Sequence, residues 1–522
     1  MILRSFFILK SKGRDERRIL RTGDFYDTTR GWTGGCRLVH YGLVASRVEI
    51  IMKSNLLKRM LMLTLLMGGL AVLLIGWTAR LWAQEKPKSE ADIIALLDKC
   101  VAQQKRAPGI VVGIISDKGA KVFAKGACEN GHAAPVDGDT VFEIGSVTKV
   151  FTALLLQEMV DSGEVTLDDP INKYLPPTVK TPSRNGREIT LVDLATQTSG
   201  LPRMPDNFNP KDPNNPYADY TVGQLYDFLS RYQLKRDIGG QYEYSNLGAG
   251  LLGHVLALRA GTNYEALVTR RICDPLRMNS TRITLTPELK SRLAPGHDAG
   301  GSTVENWDLG TLAGAGGLRS TVNDMLKFLA ANIGLTSTSL SNAMLAAQQP
   351  HHAIGSGRQI GLIWQIQKDS GTVWHNGGTG GYHSYIGFTK DRRRAVVVLA
   401  NSANDIDDLG QCVLGDRSDV KDFNPPKIHQ AIQVDTRIYD DYVGQYNFQI
   451  PGVTITVTRE GDHLFARLTG QERYEIFPES ETDFFYKVVD AQLTFEKDAA
   501  GTVTDVILHQ NGRDQKVTKV KK

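Results

Sequence analysis

Phe142-Glu143-Ile144-Gly145-Ser146-Val147-Thr148-Lys149-Val150-Phe151-Thr152 decides how this chain is read. Val150, Phe151, Leu154, Leu155 and Met159 recur at helical spacings, and Ser162-Gly163 supplies a stop. A serine in the first turn and a lysine three residues on share one face of that helix. The hydroxyl then stands beside an amine able to take its proton. The helix N-terminus adds backbone N–H groups and partial positive charge for an oxyanion. That is the layout of an activated serine nucleophile. A serine that only caps a helix has the same local pattern. A second match, Ser418-Asp419-Val420-Lys421, sits in a polar stretch with no apolar helix behind it and reads as coincidence.

Two further segments carry chemistry. Gly239-Gly240-Gln241-Tyr242-Glu243-Tyr244-Ser245-Asn246-Leu247-Gly248 leads into an apolar helix around Leu251, Leu252, Val255 and Leu258. A phenol at Tyr244 can relay a proton, and the Asn246 amide can hold both a lysine and a substrate carbonyl. A turn asparagine capping the next helix is the plainer reading. Val373-Trp374-His375-Asn376-Gly377-Gly378-Thr379-Gly380-Gly381 precedes two expected strands, 383–389 and 395–400. Glycines in a strand mark close backbone approach, here to a substrate, with the Gly378 N–H aimed at a carbonyl oxygen. A Gly-rich turn with a surface histidine is the alternative.

Ser-x-x-Lys, Tyr-x-Asn and then basic-x-Gly, in that order, resemble the serine β-lactamase and penicillin-binding-protein superfamily. The Tyr-x-Asn form is most similar to class C β-lactamases and their carboxypeptidase, D-aminopeptidase and esterase relatives. Asp193 to Pro202 and Gly314 to Thr321 resemble the same family, which covers roughly residues 91–403. The resemblance implies that Ser146 forms an acyl-enzyme and that Lys149 and Tyr244 share its proton. It implies that Asn246 orients lysine and substrate, and that the Ser146 and Gly378 N–H groups make an oxyanion hole worth about a hundredfold or more per donor. His375, Asn376 and Gly377 would line the substrate side. Which of Lys149 and Tyr244 is the base stays open, since their titrations are coupled. No metal or other cofactor is implied. The substrate is a small molecule or peptide, cell-wall fragments included. A slowly deacylating penicillin-binding protein, a cell-wall binding or sensor module, is the competing reading.

One departure matters. The resembling β-lactamases and carboxypeptidases carry Lys-Thr-Gly where this chain has His375-Asn376-Gly377. A histidine is mostly neutral at pH 7 and attracts an anionic group less. This favours esters or peptides with a weaker demand for a free carboxylate over efficient β-lactam hydrolysis. Arg319 and His383 are alternative cations, with surface positions expected for both.

With 522 residues the chain exceeds one core, and 41% hydrophobic content is ordinary for a globular protein. A net charge of +4, without a basic stripe interleaved with aromatics, argues against nucleic acid. The five cysteines, Cys36, Cys100, Cys128, Cys273 and Cys412, show no zinc spacing. They fit one or two disulfides, or buried free thiols. Lys53, Lys58 and Arg59 precede an apolar stretch from Met60 to Trp77, and Leu81-Trp82-Ala83 offers a cleavage site. This resembles a secretory leader, or a membrane anchor if uncleaved, and points to the periplasm or beyond. Met52 is the more ordinary start, which makes 1–51 an extension outside the working protein.

The expected fold is α+β. A hairpin over 110–115 and 121–124 joins the strands after His375 in one antiparallel sheet, with helices between starting at Ser146, Thr190, Thr221, Gly248 and Thr321, an αβα sandwich. The Pro- and Asn-rich stretch 202–216 reads as a loop near the substrate. The parts are 52–90 leader and linker, 91–404 hydrolase domain, 405–435 linker and 436–522 a small antiparallel barrel or sandwich. The last resembles a lipocalin-like module through Tyr442-Val443-Gly444-Gln445-Tyr446. The sequence sets no oligomeric state.

Overall fold

The computed structural model describes residues 88–520, apart from 129–133, 356, 390, 424–428, 430, 449–452, 470–472, 487–490 and 511–512. Cys36, the leader stretch Met60 to Trp77 and the turn at Asn511-Gly512 lie outside the described residues. No helix among the described residues is long and apolar enough to cross a membrane.

The hydrolase part is built on one antiparallel sheet of eight strands: β1 Gly109–Ser116, β2 Gly119–Gly126, β3 His352–Ala353, β4 Arg358–Ile360, β5 Gln365–Gln367, β6 Val373–Gly378, β7 His383–Phe388 and β8 Ala395–Ala400. Their spatial order is β2-β1-β8-β7-β6-β5-β4-β3. The first hairpin therefore pairs with the last strand, with Val112 opposite Val398, and the helical region is inserted between them. β8 is buried throughout, as its unbroken run Ala-Val-Val-Val-Leu-Ala requires of a strand covered on both faces.

Side chains alternate across this sheet with a period of two. Val111, Ile115, Val397 and Leu399 face the helical region. Ile110, Val112, Val396 and Val398 face a thinner layer made by α1 Glu90–Asp98 and α5 Asp407–Leu414. The central helix, α2 Thr148–Asp161, buries residues 148–157 and Met159. Its Phe151 ring stacks on Phe328 of α4 Val322–Asn332 with centroids 4.3 Å apart. A helix apolar on every side belongs inside a domain. Thr321 caps α4, and Ser245 caps α3 Asn246–Arg259 by accepting the Gly248 N–H at 2.8 Å.

One expectation is corrected here. The polar stretch read as a linker from 405 begins instead with α5. Leu409, Cys412 and Val413 of that helix are buried against the sheet, and Asp408 is buried against Arg106. The acidic residues that gave the stretch a linker-like composition are thus partly internal. Of the two readings offered for the cysteines, Cys100, Cys273 and Cys412 follow the second, as buried free thiols.

The C-terminal part is a closed antiparallel barrel of eight strands: β9 Gly444–Asn447, β10 Thr454–Glu460, β11 His463–Leu468, β12 Tyr474–Pro478, β13 Asp483–Tyr486, β14 Ala491–Lys497, β15 Val503–Gln510 and β16 Arg513–Lys519. Tyr442, Tyr446, Phe484 and Phe495 fill its centre, with Tyr442 stacked on Phe495 at 4.3 Å.

Arg106 and Asp408 meet at 2.7 Å with side chains 3% and 5% exposed, and both also bind the Lys421 main chain. Replacing one partner strands a buried charge. Asp408→Ala is expected to cost about 3–5 kcal/mol, read as a lower urea midpoint.

Candidate active site

Ser146 lies in a single 3-10 turn, Gly145–Val147, which runs directly into α2. Lys149 is one turn further on and has no exposed surface. Its Nζ is 2.8 Å from Ser146 Oγ, 2.9 Å from Asn246 Oδ1 and 2.6 Å from the Ala315 carbonyl. Tyr244 donates to Ser146 Oγ at 2.7 Å. Asn246 is the first residue of α3 rather than its cap, which frees its amide. Oδ1 turns to Lys149 and Nδ2 donates to the Tyr217 hydroxyl at 3.1 Å.

Burial shifts both ionisable groups toward their neutral forms. It pulls the Lys149 amine well below its usual range, helped by the nearby Arg203 charge. It pushes the Tyr244 phenol above its usual range, against the opposing pull of its Ser146 hydrogen bond and of Arg203. Lys149 forms no ion pair among the described residues. A neutral amine has two N–H groups and one lone pair. Ala315 and Asn246 offer the two acceptors, so the lone pair faces the serine hydroxyl. With the amine in its neutral form, the arrangement is a one-directional chain: phenol O–H to serine oxygen, serine O–H to amine.

Strand β6 passes immediately beside the serine turn. A Cβ on Gly377 would lie 2.2 Å from the Ile144 carbonyl oxygen and 2.8 Å from the Ser146 nitrogen. Gly145, at φ +47°, presses in the same way against Gly378. No other residue type allows these two backbones so close. Ser384 on β7 ties them together by donating to the Ile144 carbonyl at 2.8 Å. Thr379 N–H closes the turn onto the Tyr382 carbonyl at 3.0 Å. The antiparallel alternation then turns the Gly378 N–H away from β7.

The remaining sequence candidates fall on two sides of the sheet. His375 shares the face of Gly377 and is 2% exposed, with Nδ1 2.6 Å from the Asn376 carbonyl oxygen. Burial lowers its pKa to about 3, so it is a neutral ring rather than a cation. The Asn376 side chain points to the opposite face and donates to Asp407 at 2.7 Å, so it does not line the cleft as the sequence suggested. One residue of strand separates the two fates. The surface positions expected for Arg319 and His383 are also corrected. Arg319 is buried against Glu143 at 3.1 Å. His383 meets Asp407 at 3.0 Å, and although burial opposes its charge, that carboxylate holds its pKa above the usual value.

The cleft at Ser146 encloses about 160 Å³ and is lined also by Arg203, Met204, Tyr217, Asn246, Trp307 and Gly378. Sequence reasoning missed Arg203, Tyr217 and Trp307. The first two lie at the ends of the loop placed near the substrate. Trp307 carried no signal; it is held by its N–H to Glu143 and its carbonyl from Arg319. A larger hollow of about 340 Å³, around His254, Leu258 and Tyr264, has no nucleophile beside a base among the described residues. Among the described residues, His383, Asp405 and Asp407 bring ligand-type atoms within 4.8 Å of one another. Hydrogen bonds from His383 and Asn376 already engage both Asp407 oxygens.

This fold and this constellation place the chain in a known class. It belongs to the Beta-lactamase family, whose model matches residues 93–413; a domain of unknown function, DUF3471, matches 429–519. The chain is therefore a hydrolase of the serine β-lactamase and D-alanine carboxypeptidase type. It is 30% identical over 339 residues to the D-alanyl-D-alanine-carboxypeptidase/endopeptidase AmpH of Escherichia coli, covering 61% of this chain and 86% of that one. It is 28% identical over 431 residues to penicillin-binding protein 4* of Bacillus subtilis, covering 76% and 91%. A solved beta-lactamase/D-alanine carboxypeptidase from Yersinia pestis, complexed with citrate, superposes with a TM-score of 0.54 at 25% identity, covering 62% of this chain and 98% of that one.

Two outcomes follow from this geometry. Gly377→Ala puts a methyl group against the Ile144 carbonyl and is expected to lower kcat about a hundredfold or more, the scale of one lost oxyanion donor, with circular dichroism little changed. His375 has a lowered folded pKa, about 3 against 6.5 unfolded. Between these values the unfolded chain binds the extra proton. Its stability share is full above pH 6.5 and is lost as pH falls, by up to about 1.4 kcal/mol per pH unit. Denaturation series at several pH values should show a shallower acid slope for His375→Gln.

Proposed function

We propose that this chain hydrolyses ester or D-amino acid peptide carbonyls through an acyl-enzyme on Ser146. The observation that carries the reading is the directed chain Tyr244–Ser146–Lys149, with Ser146 Oγ within 2.8 Å of both partners. Lys149, kept neutral by burial, takes the serine proton as Oγ attacks the carbonyl carbon. The Ser146 and Gly378 N–H groups receive the developing oxyanion. Tyr244, kept protonated, passes its proton to the leaving group and is recharged through Lys149. Water repeats the sequence and frees the acyl group. Asn246 and Ala315 fix the amine in the rotamer that aims its lone pair at Ser146. His375, neutral and buried, packs behind Lys149 without adding charge. Replacement of a lysine by this neutral ring favours peptide and ester substrates over efficient β-lactam turnover.

The basic-then-apolar stretch around Met60 to Trp77 supports an enzyme exported from the cytoplasm, in the periplasm or outside the cell, released or held by its leader.

Intact-mass measurement after fluorophosphonate treatment tests the mechanism. One adduct on the wild type and none on Ser146→Ala is expected. Lys149→Ala should label at least about a hundredfold more slowly, the upper part of the general-base range. A folded wild-type protein that takes no adduct refutes the reading.

A further inference from the structure

The cleft needs its charges counted. The position at which the resembling enzymes carry a lysine holds His375, buried and neutral. The two other candidate cations are spent elsewhere. Arg319 donates to Glu143, the Trp307 carbonyl and the Ile283 carbonyl. His383 is held by Asp407 across the sheet from the cleft.

Arg203 differs from both. It lines the cleft with Ser146, Asn246 and Gly378, and among the described residues no acidic one shares that lining. Its main chain is fixed: the carbonyl accepts the Asn246 and Leu247 N–H groups at 3.0 and 3.1 Å. The preceding Pro202 carbonyl accepts Ser245 Oγ at 2.6 Å. Its guanidinium carbon lies 5.1 Å from the centroid of the Tyr244 ring. That ring ends in the hydroxyl that touches Ser146, so the guanidinium stands one phenol ring away from the reacting oxygen. Among the described residues no carboxylate pairs with Arg203. Asp206 pairs with Arg231, and Glu243 pairs with Arg236. A side chain with five donors in a planar fork, anchored at its backbone and left without an anion, matches a carboxylate in two parallel hydrogen bonds.

We propose that Arg203 is a specificity-determining residue that selects substrates bearing a carboxylate near the reacting carbonyl. The inference rests on the function proposed above and names its substrate class. It reverses the expectation drawn from His375, that the demand for an anionic group is weak: the cation has moved from the strand to the loop after Pro202.

Arg203 also acts on Lys149 through its charge, an effect common to all substrates. The test therefore uses ratios. Two matched pairs are compared by kcat/KM: Nα-acetyl-D-alanyl-D-alanine against its C-terminal amide, and a 4-nitrophenyl ester of a dicarboxylic acid with its far carboxylate free or amidated. The first places the anion on the leaving group and the second on the acyl group. Wild type should prefer the carboxylate in at least one pair. Arg203→Gln should reduce that preference about tenfold, chiefly through KM, the scale of one charge-assisted hydrogen bond. Arg203→Lys should keep part of it, and Arg203→Glu should reverse it. No preference in wild type, or a preference that survives Arg203→Gln, overturns the proposal. Fluorophosphonate labelling of each variant separates the two failures. An adduct without carboxylate preference sinks this inference alone, whereas a folded wild type without an adduct sinks the function beneath it.

Discussion

A lysine amine with no surface, and with no carboxylate partner among the described residues, is the constraint around which this site is arranged. A buried ammonium without a counter-charge is among the costliest groups a protein can hold, so burial favours the neutral amine. Lys149 then needs two acceptors and offers one lone pair. The Ala315 carbonyl and the Asn246 amide supply the acceptors at 2.6 and 2.9 Å, and Ser146 receives the lone pair. Three separate parts of the chain must converge for this: the first turn of α2, the first residue of α3 and the 3-10 segment Gly310–Ala315. Packing around α2, including the Phe151–Phe328 stack, holds them together. The chemistry at Ser146 is thus a consequence of how tightly the helical region is closed.

The sheet contributes through its pleat. β6 gives one face to the helical region and the other to α5, and side chains are dealt alternately between them. Gly377 and His375 fall on the inner face, where one removes a steric barrier and the other presents a neutral ring. Asn376 falls on the outer face, where Asp407 also engages His383 and so clasps β6 to β7 beside the serine turn. The motif residues His375-Asn376-Gly377 therefore act as strand architecture more than as a set of side chains pointed at a ligand.

The C-terminal barrel follows a different logic. Its strands alternate inward and outward, and the interior is filled by aliphatic side chains packed around a cluster of aromatics. Tyr442 and Tyr446, which open the module in sequence, are the centre of that packing; the Tyr446 hydroxyl donates to the Tyr442 carbonyl at 2.7 Å. A barrel of eight strands leaves an interior just wide enough for side chains to fill. Here that space is taken by the module's own core.

Local order was legible in the sequence. The apolar periodicity after Ser146, the caps at Thr221 and Thr321, the hairpin ahead of the serine turn and the alternating strands after Tyr439 each follow from spacing and turn chemistry over a few residues. The spacing of Ser146 and Lys149, and the presence of Tyr244 and Asn246, fixed what chemistry was available. Tertiary structure decided the rest. Whether Asn376 or Gly377 faces the serine depends on strand register. Whether Arg319 is surface or core depends on Glu143, some 170 residues away in sequence. Whether 405–414 is linker or helix depends on a sheet face waiting to be covered. Arg203 enters the cleft only because its carbonyl is tied to the start of α3. Each of these turns on contacts between segments distant in the chain, and on the protonation states that burial imposes, which composition and spacing do not encode.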